Sequence, residues 1–213
     1  AWYRKEFNTP ARLGEKHVIL GFDGVQTQME LWVNGKKVGE HVYGYTPFQF
    51  DITPALHEAG GTNVIAVKTV NPGENSRWFA GAGIYREVKL SVLNPVSIAP
   101  WGVYITTPRV SEETAEVRVE VSVSNPGETA ADMHFELRIR TPHNETLEFK
   151  SEGAMVDPEG AATLHASCDI ASPFLWSPED PSLYQAEVVL LAQGKEVDCY
   201  QQVFGIRSIA YSA

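Results

Sequence analysis

Arg77, Trp78 and Phe79 stand side by side in the stretch "NSRWFAGAGIYREV", Asn75 to Val88. A guanidinium presents hydrogen-bond donors in a fixed fork and also stacks on aromatic faces. Two rings beside it suit a sugar, which offers apolar C–H faces and equatorial hydroxyls. The same three residues suit a packing role equally well, with Trp78 and Phe79 closing the open end of a β-sandwich and Arg77 stacked on top. Both roles are open at this level. Gly81 and Gly83 let the backbone turn back without a Cβ penalty, so the stretch reads as a projecting loop that runs into a strand, "IYREVKL".

Other chemistry is harder to find. Glycoside hydrolysis needs two carboxylates facing each other across the sugar on rigid supports. The 27 acidic residues fall mostly at outward strand positions or in turns. Asn144 and Glu145 in "HNETLEF" occupy an expected hairpin turn, where a glutamate is surface rather than catalyst; Asn144-Glu145-Thr146 also has the form of a glycosylation sequon. There is no GxSxG, no P-loop and no GxGxxG leading from a strand into a helix. Six histidines show neither HxH nor HExxH spacing, which argues against a histidine-based catalytic metal. No cofactor is called for. Cys168 and Cys199 are expected as buried free thiols, with a disulfide as the alternative if neighbouring strands bring them together. On internal evidence the chain carries no catalytic residues.

The elements that must position the Arg77 loop are strands. "WYRKEF", "HVILGF", "QMELWV", "KVGEHVY", "FQFDI", "NVIAVKT" and "YREVKLSV" are short, alternating and rich in aromatic and β-branched residues. Asn34-Gly35 is the strongest hairpin signal, since both residues tolerate the positive φ of a type I′ turn. One short helix is expected in "TPALHEAGG", with Thr53 as N-cap, Pro54 in the first turn and Gly60 as the stop. Pro95 and Pro100 then break the pattern and mark a boundary. Beyond them lie seven further strand-like segments with turns such as "NPGE" (125–128) and "DPEG" (157–160), a pattern that fits an immunoglobulin-like sandwich. In "EVRVEVSVSN", Val117, Val119, Val121 and Val123 share one face and Arg118, Glu120 and Ser122 the other.

Bulk properties bound the rest. A chain of 213 residues with 43% apolar and 21% charged residues makes one large or two ordinary globular domains. The formal net charge of −10 disfavours nucleic acid and anionic membrane as partners, because both select a cationic face. The longest apolar runs, such as "AEVVLLA", are strand length, so no bilayer span is expected. The chain opens on a strand-like segment with no leader, which reads as an excised fragment.

The segments "AWYRKEF", "VILGFDGV", "LWVNGKKVGEHVYGYTPFQFDIT", "NVIAVKTVN" and "NSRWFAGAGIYREVKL" occur in an order that resembles the N-terminal sugar-binding domain of glycoside hydrolase family 2, which includes β-galactosidases, β-glucuronidases and β-mannosidases. The second half, with "LWSPEDPSLYQAEV" and "FGIRSI", is similar to the immunoglobulin-like domain of the same family. The resemblance implies an all-β fold: a jelly-roll-like (galactose-binding-like) β-sandwich over residues 1–94, shortened at its start, and an immunoglobulin-like β-sandwich over 95–213.

It further implies that these are non-catalytic accessory domains of a retaining exo-glycosidase, a β-galactosidase. The catalytic glutamates would lie on a (β/α)8 barrel in the same full-length chain, so the fragment itself is expected to be inactive. The substrate-binding candidates it implies are Arg77, with Trp78 and Phe79 buttressing the pocket wall. Some β-galactosidases and β-glucuronidases of the family hold an acid at the position of Arg77, whereas the arginine here resembles a bacterial subgroup with "SRWY" or "SRWF". The cation therefore points to a different hydroxyl, a carboxylate-bearing sugar or an ion pair with a barrel carboxylate. His41, Tyr43, Tyr45, Phe48 and Asp51 match a family motif and read mainly as scaffold, with Asp51 fixing the turn into Thr53; Asp180 and Pro181 read as turn-formers, with Trp176 and Tyr184 in the core. A periplasmic or extracellular address suits a polysaccharide degrader. Two other classes compete: a free-standing carbohydrate-binding module, and a purely structural, adhesin-like pair of sandwiches.

Overall fold

A computed structural model describes residues 1–71 and 81–209. The chain divides into two compact units, Ala1–Leu93 and Asn94–Ala213, and the described residues form strands with a single 3-10 turn.

The first unit contains β1 (Trp2–Asn8), β2 (His17–Phe22), β3 (Val25–Gln26), β4 (Gln28–Val33), β5 (Lys36–His41), β6 (Phe48–Asp51), β7 (Thr62–Val70), β8 (Gly83–Ile84) and β9 (Val88–Leu93). They make one sheet in the order β1-β7-β4-β5, a second in the order β6-β2-β9, and a short β3-β8 pair. All these pairings are antiparallel. Period-two alternation explains which face is inside. Val18, Leu20 and Phe22 of β2 are buried, as are Met29, Leu31 and Val33 of β4, and the two sets meet with Val67 and Phe48 in one core. Each such side chain contributes about 1.5–3 kcal/mol of burial free energy. This is the jelly-roll-like sandwich.

Asn34 and Gly35 both take positive φ, 51° and 78°, so the expected hairpin turn joins β4 to β5. Asn34 also reaches inward. Its Oδ1 accepts from the Val64 amide at 2.9 Å, and its Nδ2 donates to Ala55 O at 2.9 Å and to Asn63 Oδ1 at 2.8 Å. Asn63 is fully buried and fully used: Oδ1 also accepts from the His57 amide, and Nδ2 donates to Thr9 Oγ1 and Gly61 O. A buried amide with every donor and acceptor paired is what a closed core tolerates.

The helix expected at "TPALHEAGG" is a 3-10 turn, Thr53–Ala55, with Ile52 rather than Thr53 at its N-cap. The Thr53 hydroxyl is committed elsewhere, accepting from the Val18 amide at 2.7 Å. The His57 amide is held by Asn63, which diverts the backbone from a second helical turn. "IYREVKL" is likewise interrupted: β8 ends at Ile84 and β9 starts at Val88. Between them the Glu87 carbonyl accepts from the Asp23 amide at 2.9 Å.

The second unit contains β10 (Ser97–Val110), β11 (Thr114–Asn125), β12 (Ala131–Arg140), β13 (Thr146–Lys150), β14 (Ala154–Val156), β15 (Gly160–Ala171), β16 (Tyr184–Ala192) and β17 (Lys195–Phe204). Sheets β10-β11-β15 and β13-β12-β16-β17, with β14 pairing on β12, form the immunoglobulin-like sandwich. Its core takes Val117, Val119, Val121 and Val123 from β11, Met133, Phe135, Leu137 and Ile139 from β12, and Tyr184, Ala186, Val188 and Leu190 from β16. Pro100 does not end a strand. It lies inside β10, where the register slips between Ile98 and Val103 and Trp101 takes φ 53°.

Cys168 and Cys199 are both free. Cys168 is buried, and burial first, then the neighbouring Asp169, pushes its thiol up to about 11. Cys199 is exposed, contrary to the expected burial, because it lies on the outward face of the edge strand β17. Tyr184 is in the core, and its hydroxyl accepts from the Phe174 amide at 2.8 Å. Trp176 is only half-buried, with the Arg207 guanidinium 4.8 Å from its ring centre.

Candidate functional site

Arg77, Trp78 and Phe79 lie outside the described residues. What the structure describes is the collar from which residues 72–80 depart and to which they return. β7 delivers the chain at Val70, paired with Gln28 of β4. β8 takes it up again at Gly83, paired with Gln26 of β3. Both flanks are therefore held by the neighbouring residues 26–28, where the Gln26–Thr27 peptide is cis.

Side chains reinforce this closure. Asn71 Nδ2 donates to Gly81 O at 2.8 Å, joining the two flanks directly. Thr27 Oγ1 donates to Asn71 Oδ1, also at 2.8 Å. A nine-residue segment entering and leaving through such a clasp has its ends fixed before any ligand arrives, which lowers the ordering cost of binding.

Around the clasp sit three exposed tyrosines. Tyr85 donates its hydroxyl to Gly44 O at 2.7 Å, which anchors the 42–47 loop to the chain leaving β8. Its ring lies over Gly24, where any Cβ would come within 2.8 Å of it, and a Cβ at Gly44 would run into the Gln26 carboxamide oxygen. A side chain at either glycine would displace Tyr85 or Gln26 from these contacts. Tyr43 and Tyr45 are 55% and 54% exposed, and their rings meet edge to face at 5.7 Å. Arg86 places its guanidinium 5.4 Å from the Tyr85 ring centre. Aromatic faces with cationic and amide edges form the kind of surface a sugar recognises.

The motif residues expected as scaffold divide. Phe48 is in the core and stacks on His41 with ring centres 3.9 Å apart. Asp51 fixes the turn: it accepts from the Thr53 amide at 2.9 Å and pairs with His17 Nδ1 at 2.7 Å. Burial opposes its ionisation, but the bonds from Thr53 and His17 outweigh that and leave its carboxyl below the ordinary range. Tyr43 and Tyr45 lie at the surface of this unit, each exposing about half its area. Their sequence signal was their place in a Gly- and Pro-bounded loop, "VYGYTP".

Carboxylates elsewhere are built for pairing rather than proton transfer. Glu116 is buried, accepts from Arg118 Nε at 2.7 Å and Ser167 Oγ at 3.2 Å, and has the Arg109 guanidinium 3.0 Å away. That last contact is charge proximity, off the hydrogen-bonding direction of Oε2. The Arg118 hydrogen bond is the main reason its carboxyl sits below the ordinary range. Glu136 is lowered chiefly by Lys150 and Glu187 chiefly by Gln201, then Arg138. A general acid needs the opposite, a raised pKa. Among the described residues every carboxylate displaced from its ordinary value is displaced downward. Among the same residues no cluster of three or more His, Cys, Asp and Glu side chains is gathered for a metal.

Comparison with known proteins gives end-to-end matches. The profile of "Glycosyl hydrolases family 2, sugar binding domain" matches residues 1–94, and that of "Glycosyl hydrolases family 2" matches residues 96–207. A putative beta-glucuronidase of Formosa agariphila is 31% identical over 99% of this chain and 19% of its own length. A beta-galactosidase of Bacteroides ovatus is 32% identical over 100% of this chain and 25% of its own length. The crystal structure of a glycosyl hydrolase family 2 member from Bacteroides cellulosilyticus superposes with a TM-score of 0.93 at 36% identity, covering all of this chain and 29% of that one. The chain thus spans between a fifth and a third of the length of such relatives.

Proposed function

Since the chain belongs to glycosyl hydrolases family 2, we propose that it is the sugar-binding domain and the following immunoglobulin-like domain of an exo-acting, retaining β-galactosidase. In this reading the two catalytic carboxylates come from a (β/α)8 barrel elsewhere in the parent chain. The present residues shape and rigidify the substrate pocket but do no bond-breaking. The observation that carries the proposal is the match of the whole chain to two such domains, covering only 29% of a related crystal structure.

The Arg77 loop then serves the parent's sugar pocket. Arg77 donates to a hydroxyl of the terminal sugar, Trp78 and Phe79 form the wall, and the Asn71–Gly81 clasp fixes where the loop projects. A β-glucuronidase is the second reading. It is supported by the relatives carrying that name and by the cationic side chain, which would pair with a sugar carboxylate.

The two are separated by assaying the full-length parent on nitrophenyl β-galactoside and β-glucuronide. The proposal expects galactoside to be preferred in kcat/KM. Preference for glucuronide, lost on Arg77→Ala, would establish the second reading instead.

A further inference from the structure

The outer face of the second sandwich carries a polar hollow. In β12 and β16, Leu137, Ile139, Ala186 and Val188 are buried in the core, so alternation turns Arg138, Arg140, Gln185 and Glu187 outward. Strand pairing sets these side chains in two neighbouring rows. One row runs Glu148, Arg138, Glu187 and Gln201; the next runs Thr146, Arg140, Gln185 and Val203. Arg138, Arg140, Thr146, Gln185, Glu187 and Gln201 together line a cavity of about 220 Å3.

The two rows differ in what they leave unpaired. In the first, Arg138 lies 3.0 Å from Glu187, with Glu136 and Glu148 at 3.7 and 3.8 Å, and Gln201 Nε2 donates to Glu187 Oε1 at 3.0 Å. An ionised carboxylate only accepts, so Glu187 fixes which way the Gln201 amide points. Gln201 Oε1 then faces Gln185 and accepts from its Nε2 at 3.2 Å. This chain of bonds leaves Gln185 Oε1 as an acceptor with no donor among the described residues. Arg140 stands opposite Gln185 in the second row, and among the same residues no carboxylate comes within ion-pairing reach of it. The Thr146 hydroxyl, also in that row, has no partner there either. A cation, an acceptor and a hydroxyl thus line one hollow with their bonds unmade.

We propose that this cavity binds a single uronate, a sugar ring carrying a carboxylate. Arg140 takes the carboxylate through its forked donors. One ring hydroxyl donates to Gln185 Oε1, and the Thr146 hydroxyl bonds a second. Val203, 62% exposed at the end of the row, offers its methyl groups to a C–H face of the ring. Size and charge select this class. The volume is below the roughly 300 Å3 at which pockets for drug-sized ligands begin, which limits the occupant to about one ring. Two arginines against one glutamate leave the lining one positive charge, and Glu187 already matches Arg138. A phosphate group, with about two negative charges at neutral pH, would set the second against Glu187. A neutral sugar would leave Arg140 unmatched.

Binding here is independent of which glycoside the parent cleaves, and its test uses no turnover. The isotope-labelled 213-residue chain is titrated with methyl β-glucuronide and with methyl β-galacturonide, and amide chemical shifts are followed by NMR. At least one of the two is expected to shift the amides of residues 138–140, 146, 185–187 and 201, saturating with a Kd on the order of 1 mM, as for a ligand of about a dozen heavy atoms. The matching neutral glycoside, the same ring without the carboxylate, should bind at least about tenfold more weakly at these amides. Arg140→Gln should weaken the uronide by a similar factor while the amides of β11 and β15 keep their positions, which shows that the sandwich is intact. The amides of β3 and β8 report separately on any binding near Arg77. Equal binding of the uronide and its neutral counterpart would overturn the proposal. So would the absence of a saturable shift at these residues from either uronide, or shifts of equal size from acetate, which would mean a bare anion contact.

Discussion

Replacing Asn71 with alanine in the full-length parent removes both hydrogen bonds of the clasp at once: the one to Gly81 O and the one received from Thr27, each 2.8 Å. Neutral bonds of this kind contribute about 0.5–1.5 kcal/mol each, and exposed ones fall in the lower half of the range, giving about 1–2 kcal/mol for the pair. That free energy is spent on fixing the ends of residues 72–80. If the loop touches substrate, its loss appears as a fall in kcat/KM of about 5- to 30-fold, at about 1.4 kcal/mol per tenfold. Thr27→Val removes one bond only and should lower kcat/KM by about 2- to 5-fold. Because the two residues share that bond, the double variant should fall short of the product of the single effects. In the 213-residue chain the same loss bounds the fall in melting temperature of the Asn71→Ala variant at about 15 °C, taking about 4–8 °C per kcal/mol for a unit of this size. Steady-state kinetics on the nitrophenyl substrate and a thermal melt are sufficient. A kcat/KM within twofold of the unaltered enzyme would refute the clasp's role, and a fall in melting temperature beyond about 15 °C would make it a structural element instead.

Three further outcomes are expected. Arg77→Ala should lower kcat/KM of the parent by about 1–3 kcal/mol in transition-state terms and leave the melting of the 213-residue chain unchanged; the reverse pattern would make the loop a packing plug. Asn63→Ala strips four hydrogen bonds from a fully buried site and should cost the first unit about 2–4 kcal/mol, seen by calorimetry as a lowered transition for residues 1–93 alone; equal shifts in both units would contradict the assignment. Glu116 is held below its ordinary pKa, first by Arg118, so its stabilisation is present above the unfolded-state value and lost as pH falls through the folded one. Glu116→Gln should therefore be less stable than the unaltered chain at pH 7, with the gap in urea midpoints closing as the pH falls from about 5 to 3; a gap independent of pH would remove the carboxylate from the argument.

Much of the architecture was written in short-range chemistry. Asn34-Gly35 turned where two positive φ values were expected, and the valine alternation of β11 buried the expected face. Features decided by distant partners were not legible. Thr53 looks like a helix cap until Val18, 35 residues away, claims its hydroxyl. Cys199 has a buried-strand pattern around it but lies on an edge strand's outer face, which only the pairing order reveals. Nothing local distinguishes Glu116 from its exposed neighbour Glu120, because the arginines that hold it come from β10 and β11 together. At the candidate site, the aromatic and cationic residues were visible from their types. The clasp was not, because Thr27, Asn71 and Gly81 meet only after three strands have paired.

In the proposed function this chain shapes a glycosidase pocket and the rest of the parent performs the chemistry. The most direct test is the steady-state turnover of nitrophenyl β-galactoside by the repurified 213-residue chain, measured beside the full-length parent at equal molar concentration. The account predicts hydrolysis by the parent and a rate indistinguishable from buffer for the chain; turnover by the chain that survives repurification and scales with its concentration would contradict it.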